Sequence, residues 1–141
     1  MKKSEWKGYE RFDFLYEGRE GILVLPRQAA EHRPWIWRTE FFGAFDSADI
    51  AMLQEGYFLL YYKVSDMYGC PQAVEYMRHF HTYVTKEFDL YPKPVLFGFS
   101  RGGLYAVNYA AAYPQEVDAL YLDAPVLDIR SWPGGLGAAP R

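Results

Sequence analysis

The sequence predicts an α/β fold, a mostly parallel sheet with helices on both faces, in one domain over residues 1–141. Three observations point there. Strand-like and helix-like stretches alternate from Gly21 onward. Gly21-Ile22-Leu23-Val24-Leu25-Pro26 is a continuous apolar run, as in a strand covered on both faces. Aromatic residues make up 19% of the chain, and side chains of that size bury enough area for a well-supplied core.

The elements follow in order. Phe12, Phe14 and Tyr16 alternate with Arg11, Asp13 and Leu15, the period of a half-buried strand. A turn over Glu17 to Gly21 leads into the apolar strand to Pro26. From Arg27 to Phe45 no period holds, which predicts a long aromatic loop, and loops of that length in compact domains are usually functional. Asp46 or Ser47 can cap a helix to about Gln54, closed by Gly56. Tyr57 to Val64 reads as a third strand, and Ser65 to Gly69, with Asp66, as a turn. Pro71 suits the first turn of a helix, with Val74, Met77, Phe80, Val84 and Phe88 at helical spacing. Pro94 to Phe97 gives a short fourth strand, Gly102 to Tyr113 an alanine-rich helix stopped by Pro114, and Ala119 to Leu122 a fifth strand. The tail over residues 131–141 has no period and is expected to be loose.

Charge and composition exclude several classes. A net charge of −3 with no basic run beyond Lys2-Lys3 argues against nucleic-acid binding and against a polybasic membrane patch. The most apolar stretch, Tyr57 to Tyr62, is a strand's length and far too short to span a bilayer. Ser4-Glu5-Trp6-Lys7 stands where a signal peptide needs an apolar segment, so the expected location is cytoplasmic. Cys70 is the single cysteine, which excludes an internal disulfide and a cysteine-rich zinc site; no metal or cofactor is expected.

Gly98-Phe99-Ser100-Arg101-Gly102-Gly103 carries the chemistry. A G-x-S-x-G spacing between an apolar strand and a helix places the serine on a sharp turn, where flanking glycines let the neighbouring backbone pass without a Cβ clash. The helix after it offers free N–H groups and a positive dipole end to an oxyanion. Ser100 is therefore the expected nucleophile; the bland alternative is a structural strand–helix turn.

With its flanks Lys93-Pro94-Val95-Leu96-Phe97 and Leu120-Tyr121-Leu122-Asp123-Ala124, this motif resembles the nucleophile elbow of α/β-hydrolases. Pro34-Trp35-Ile36-Trp37-Arg38, Phe41-Phe42-Gly43 and Ser131-Trp132-Pro133-Gly134-Gly135 extend the similarity to a group of bacterial hydrolases and esterases, covering the first part of that family's domain. The resemblance implies a partial α/β-hydrolase fold acting on small carboxylic esters. It implies an oxyanion hole formed by the backbone N–H of Arg101 and a second donor from the loop over His32 to Arg38, with Trp35 favoured and Trp37 close behind; the alternative is that both tryptophans only pack the domain.

The family orders its triad serine, acid, histidine, yet no histidine follows Ser100. His79 and His81 fall on the helix that begins at Pro71, as packed or solvated residues. His32, in the expected oxyanion loop, is a minor candidate for the base. Asp128 is a minor candidate for the acid, and Asp123 is expected to be structural. The expectation is thus a hydrolase core that stops before its usual acid and histidine and is weak or inactive alone. The competing reading is a silent fragment serving as a binding or assembly module that self-associates through an exposed sheet edge. A haloperoxidase or transferase on the same elbow is a third.

Overall fold

The computed structural model describes residues 1–40, 42–43, 46–64, 71–99 and 102–123. Seven strands form one sheet: β1 (Lys2–Trp6), β2 (Tyr9–Tyr16), β3 (Arg19–Val24), β4 (Trp35–Arg38), β5 (Phe58–Tyr62), β6 (Val95–Phe99) and β7 (Ala119–Asp123), in the spatial order β1-β2-β3-β5-β4-β6-β7. Three helices, α1 (Ser47–Gln54), α2 (Pro71–Glu87) and α3 (Gly102–Ala112), and a short 3₁₀ turn at Pro114–Glu116 complete the described chain.

β4 pairs in parallel with β5 and β6, and β6 with β7, whereas β1, β2 and β3 join as an antiparallel meander that continues antiparallel onto β5. It follows that β2, β4, β5, β6 and β7 point one way and β1 and β3 the other. The sheet is mostly but not purely parallel. Both meander turns are two residues long with left-handed backbone, Lys7-Gly8 (φ 52° and 88°) and Glu17-Gly18 (φ 51° and 77°), the geometry whose twist matches that of the flanking strands.

Alternation along the strands separates two cores. Trp35, Trp37, Leu60, Tyr62 and Leu96 face α2 and α3, whose Val74, Met77, Phe80, Val84, Tyr105 and Tyr109 are buried with them. Ile36, Leu59, Tyr61 and Phe97 face the other way, against Leu53 of α1. Helices therefore cover both faces, as expected. The stripe on α2 is the one its spacing predicts, and Phe80 stacks on Tyr62 with ring centroids 4.4 Å apart.

Two elements differ from expectation. β1 is exposed except for Trp6 and carries Lys2, Lys3 and Glu5, so it has no apolar alternation to read. β4 lies inside the stretch expected as a loop. All four of its residues are buried on a central strand, so no period of two can emerge over such a short run, and Arg38 interrupts its apolar character. At α1, Asp46 is the N-cap residue without a side-chain cap bond; its carboxylate lies 3.4 Å from Lys7 Nζ instead.

Candidate functional site

Parallel strands bring their C-terminal ends to one edge of a sheet, and ligands of open α/β folds bind outside that edge. Here it is formed by the ends of β4, β5, β6 and β7. β6 ends at Phe99 and α3 begins at Gly102, so a strand runs into a helix across two residues. Those two, Ser100 and Arg101, lie outside the described residues, as do Asp66, Cys70 and Asp128. α3 is anchored beneath the edge by fully buried Tyr105, Ala106 and Tyr109, and the Tyr105 hydroxyl donates to Val64 O at 2.8 Å, just past the end of β5. Asp123, the last residue of β7, sits opposite Phe99 in register and so shares this edge.

The segment leaving β4 is fixed beside β6. The Thr39 N–H and hydroxyl both donate to Phe97 O, at 3.0 and 2.9 Å. Arg38, fully buried, donates from Nη1 to Asp49 Oδ2 of α1 at 2.6 Å and from Nε to Glu40 O at 3.0 Å. Asp49 is equally buried, and its Oδ1 has no hydrogen-bond partner among the described residues. Burial outweighs the attraction of Arg38 and pushes the Asp49 carboxyl up to about 6. Phe42 packs on Trp6 and Tyr61, with centroids at 5.1 and 5.8 Å, and Gly43 turns the chain at φ 89°. Arg38, Thr39, Glu40 and Asp49 were not singled out by sequence. The legible signal was an arginine closing an aromatic run, with an aspartate 11 residues on in a helix.

The structure takes Trp35 and His32 away from this edge. Trp35 opens β4 opposite Phe58, one residue before the Ile36–Val95 pair. It is therefore level with the start of β6, about 17 Å along the strand from Phe99 at ~3.3 Å per residue. Its indole N–H donates to Tyr91 O at 2.6 Å, and its ring stacks on Trp37 at 5.5 Å. Both tryptophans are buried core residues of β4, with Trp35 level with the start of β6 and only residues beyond Arg38 passing the C-terminal end of β4. His32 precedes β4 at the opposite end, its side chain 77% exposed and its backbone left-handed at φ 70°. With Pro34, Trp35, Tyr57, Tyr91 and Lys93 it lines a shallow groove there.

The other histidines also lie elsewhere. His79 pairs with Glu17 on the surface at 3.1 Å. His81 is buried on α2; its Nε2 donates to Pro92 O at 2.6 Å, and Nδ1 lies 3.4 Å from Glu116 Oε1. Burial lowers its pKa, against the opposing pull of Pro92 O and Glu116. Among the described residues no group of three or more His, Cys, Asp or Glu side chains could hold a metal, and no helix is long and apolar enough to cross a membrane.

Residues 34–140 match the α/β hydrolase fold family, and the chain belongs to that family. No curated protein sequence matches it. Among solved structures it is similar to a cold-adapted esterase from an Arctic intertidal metagenomic library (TM-score 0.64, 12% identity), covering 86% of this chain and 61% of that one. It is also similar to a thermostable carboxyl esterase from Bacillus coagulans (TM-score 0.57, 16% identity, 81% and 43% covered). A third likeness is to the Francisella virulence factor BioJ (TM-score 0.62, 14% identity, 92% and 47% covered). At these identities the likeness is one of fold, and the chain spans between about two fifths and under two thirds of each relative's length.

Proposed function

We propose that the chain is the nucleophile-bearing part of a serine hydrolase acting on small carboxylic esters, with Ser100 attacking the ester carbonyl. The observation that carries this reading is the passage from β6 to α3. Gly98 lies in the strand and Gly102 opens the helix, and in sequence Ser100 falls midway between them, directly after the C-terminal end of β6. Attack by the hydroxyl oxygen on the carbonyl carbon leaves negative charge on the carbonyl oxygen, and backbone N–H groups at the start of a helix are suited to receive it. Arg101 supplies one such donor in this reading. The second comes from the residues after Thr39, because the Thr39 N–H is already committed to Phe97 O.

A serine without a positioned base is a weak nucleophile at neutral pH. With no histidine after Ser100 and His32 at the wrong end of the sheet, the 141-residue chain is expected to turn over slowly, at the level an oxyanion hole alone sustains. A p-nitrophenyl acetate assay on the chain, Ser100→Ala and His32→Ala tests this. Slow turnover lost in Ser100→Ala and kept in His32→Ala is expected; turnover that survives Ser100→Ala overturns the assignment. A second reading, a silent module that associates along β7, is supported by the exposure of Leu120 (41%) and Tyr121 (45%) on that strand, the outermost on its side among the described residues. It requires a concentration-dependent dimer by analytical ultracentrifugation together with no Ser100-dependent turnover.

A further inference from the structure

A fully buried ion pair need not add to stability, since two charges must be stripped of water and a well-packed apolar pair often does as well. The pair between Arg38 and Asp49 therefore calls for another account. A second hydrogen bond supplies one: the same guanidinium that holds Asp49 also donates to Glu40 O, two residues on. Thr39, between them, is bound twice to Phe97 O. The backbone over residues 38–40 is thus gripped from α1 on one side and from β6 on the other. Glu40, 3% exposed, is fixed one step beyond Thr39, beside the end of β6. On the far side, Phe42 is held by Trp6, Tyr61 and the Arg11 guanidinium, 5.2 Å from its ring.

We infer that Arg38 and Asp49 are positioning residues that fix Thr39 and Glu40, and through them the approach to Phe42, beside the C-terminal end of β6. The catalytic meaning of that placement rests on the ester-hydrolase reading; the clamp itself does not. Arginine suits the task because its planar fork can serve a carboxylate and a carbonyl at once, whereas lysine offers a single point of charge. An apolar pair could fill the volume but could not hold Glu40 O.

The test compares the parent chain with Arg38→Met, Arg38→Lys and the double variant Arg38→Met/Asp49→Leu at pH 8. Urea unfolding reads global stability, and amide hydrogen exchange by mass spectrometry reads residues 39–43 against β5. Arg38→Met alone leaves a buried carboxylate without its cation and is expected to be the least stable. The double variant is expected to regain most of the stability and the protection of β5, while residues 39–43 exchange about tenfold faster than in the parent. Arg38→Lys is expected to recover that protection only in part. Ser100-dependent hydrolysis in the double variant is expected to fall about 10- to 100-fold in kcat with KM nearly unchanged. A double variant whose 39–43 exchange returns to the parent's rate overturns the clamp. A parent with no Ser100-dependent hydrolysis overturns the hydrolase reading instead, and the exchange comparison still decides the clamp.

Discussion

Acidification should act on this protein through two buried groups of opposite sign, and Asp49 gives the cleaner measurement. Its folded pKa is raised to about 6 from an ordinary value of 3.8, because burial outweighs the pull of Arg38. A folded pKa above the unfolded one means that the native state holds the proton over that interval while the unfolded chain has lost it. Stability from this group is therefore complete below pH 3.8 and is lost as pH rises through about 6. One pH unit inside the window is worth about 1.4 kcal/mol, so the step from pH 7 to pH 5 should add about 1–2 kcal/mol. His81 opposes it. Its pKa is lowered by burial, so the unfolded chain takes up a proton first and stability falls as pH drops below the ordinary histidine value. Urea unfolding followed by tryptophan emission separates the two, since Trp6, Trp35 and Trp37 are all buried and report on the whole sheet. The stability of the parent relative to Asp49→Asn should rise by about 1–2 kcal/mol from pH 7 to pH 5. Relative to His81→Gln it should fall over the same range. A parent-to-Asp49→Asn difference that is flat with pH would refute the assignment of a raised pKa to this carboxyl.

Two further perturbations probe the frame that holds the site. Leu60→Ala removes a fully buried side chain from β5, between Leu23 and Trp37 in register, and should cost about 2–5 kcal/mol by thermal or urea unfolding; a loss well under that range would mean that the strand is not part of the central core. Gly56→Ala forces a Cβ to within 2.6 Å of Ala30 N at a φ of 94°, and the contact is backbone, so it cannot be relieved by a rotamer change. It should cost about 2 kcal/mol or more, and an unchanged unfolding midpoint would show that the turn after α1 does not pack against Ala30.

Most of this architecture was legible because burial left a period behind. The stripe on α2 and the apolar run of β3 could each be read directly, and Pro71 and Gly56 marked a start and a stop. β4 left no such trace. Trp35-Ile36-Trp37-Arg38 is buried on both sides, so its composition resembles a dense aromatic loop, and its arginine argues against a core position until Asp49 is seen to meet it. β1 escaped for the opposite reason, being a polar edge whose only local signal was the Lys7-Gly8 turn. Taking residues 27–45 as one loop also hid that His32 and Trp35 lie at the N-terminal end of a strand whose C-terminal end leads into Thr39. The G-x-S-x-G spacing makes a different kind of prediction, because what it implies is local backbone geometry rather than the elements packed against it.

The position of β4 also governs the order in which the chain can be assembled as it is made. The meander needs only residues 2–24 and two tight turns, so it can close while synthesis continues. β4 is different: both strands that flank it, β5 and β6, are encoded after it. The strand at the middle of the finished sheet is thus released before either of its templates exists, and it stays without a complete ladder until residue 99 has emerged. On a ribosome Trp35 and Trp37 are thus carried as an apolar segment through much of elongation. A nascent chain halted before β6 has emerged should therefore present that pair to chaperones, and one halted after α3 has emerged should hide it, since Tyr109 of α3 packs on Trp37.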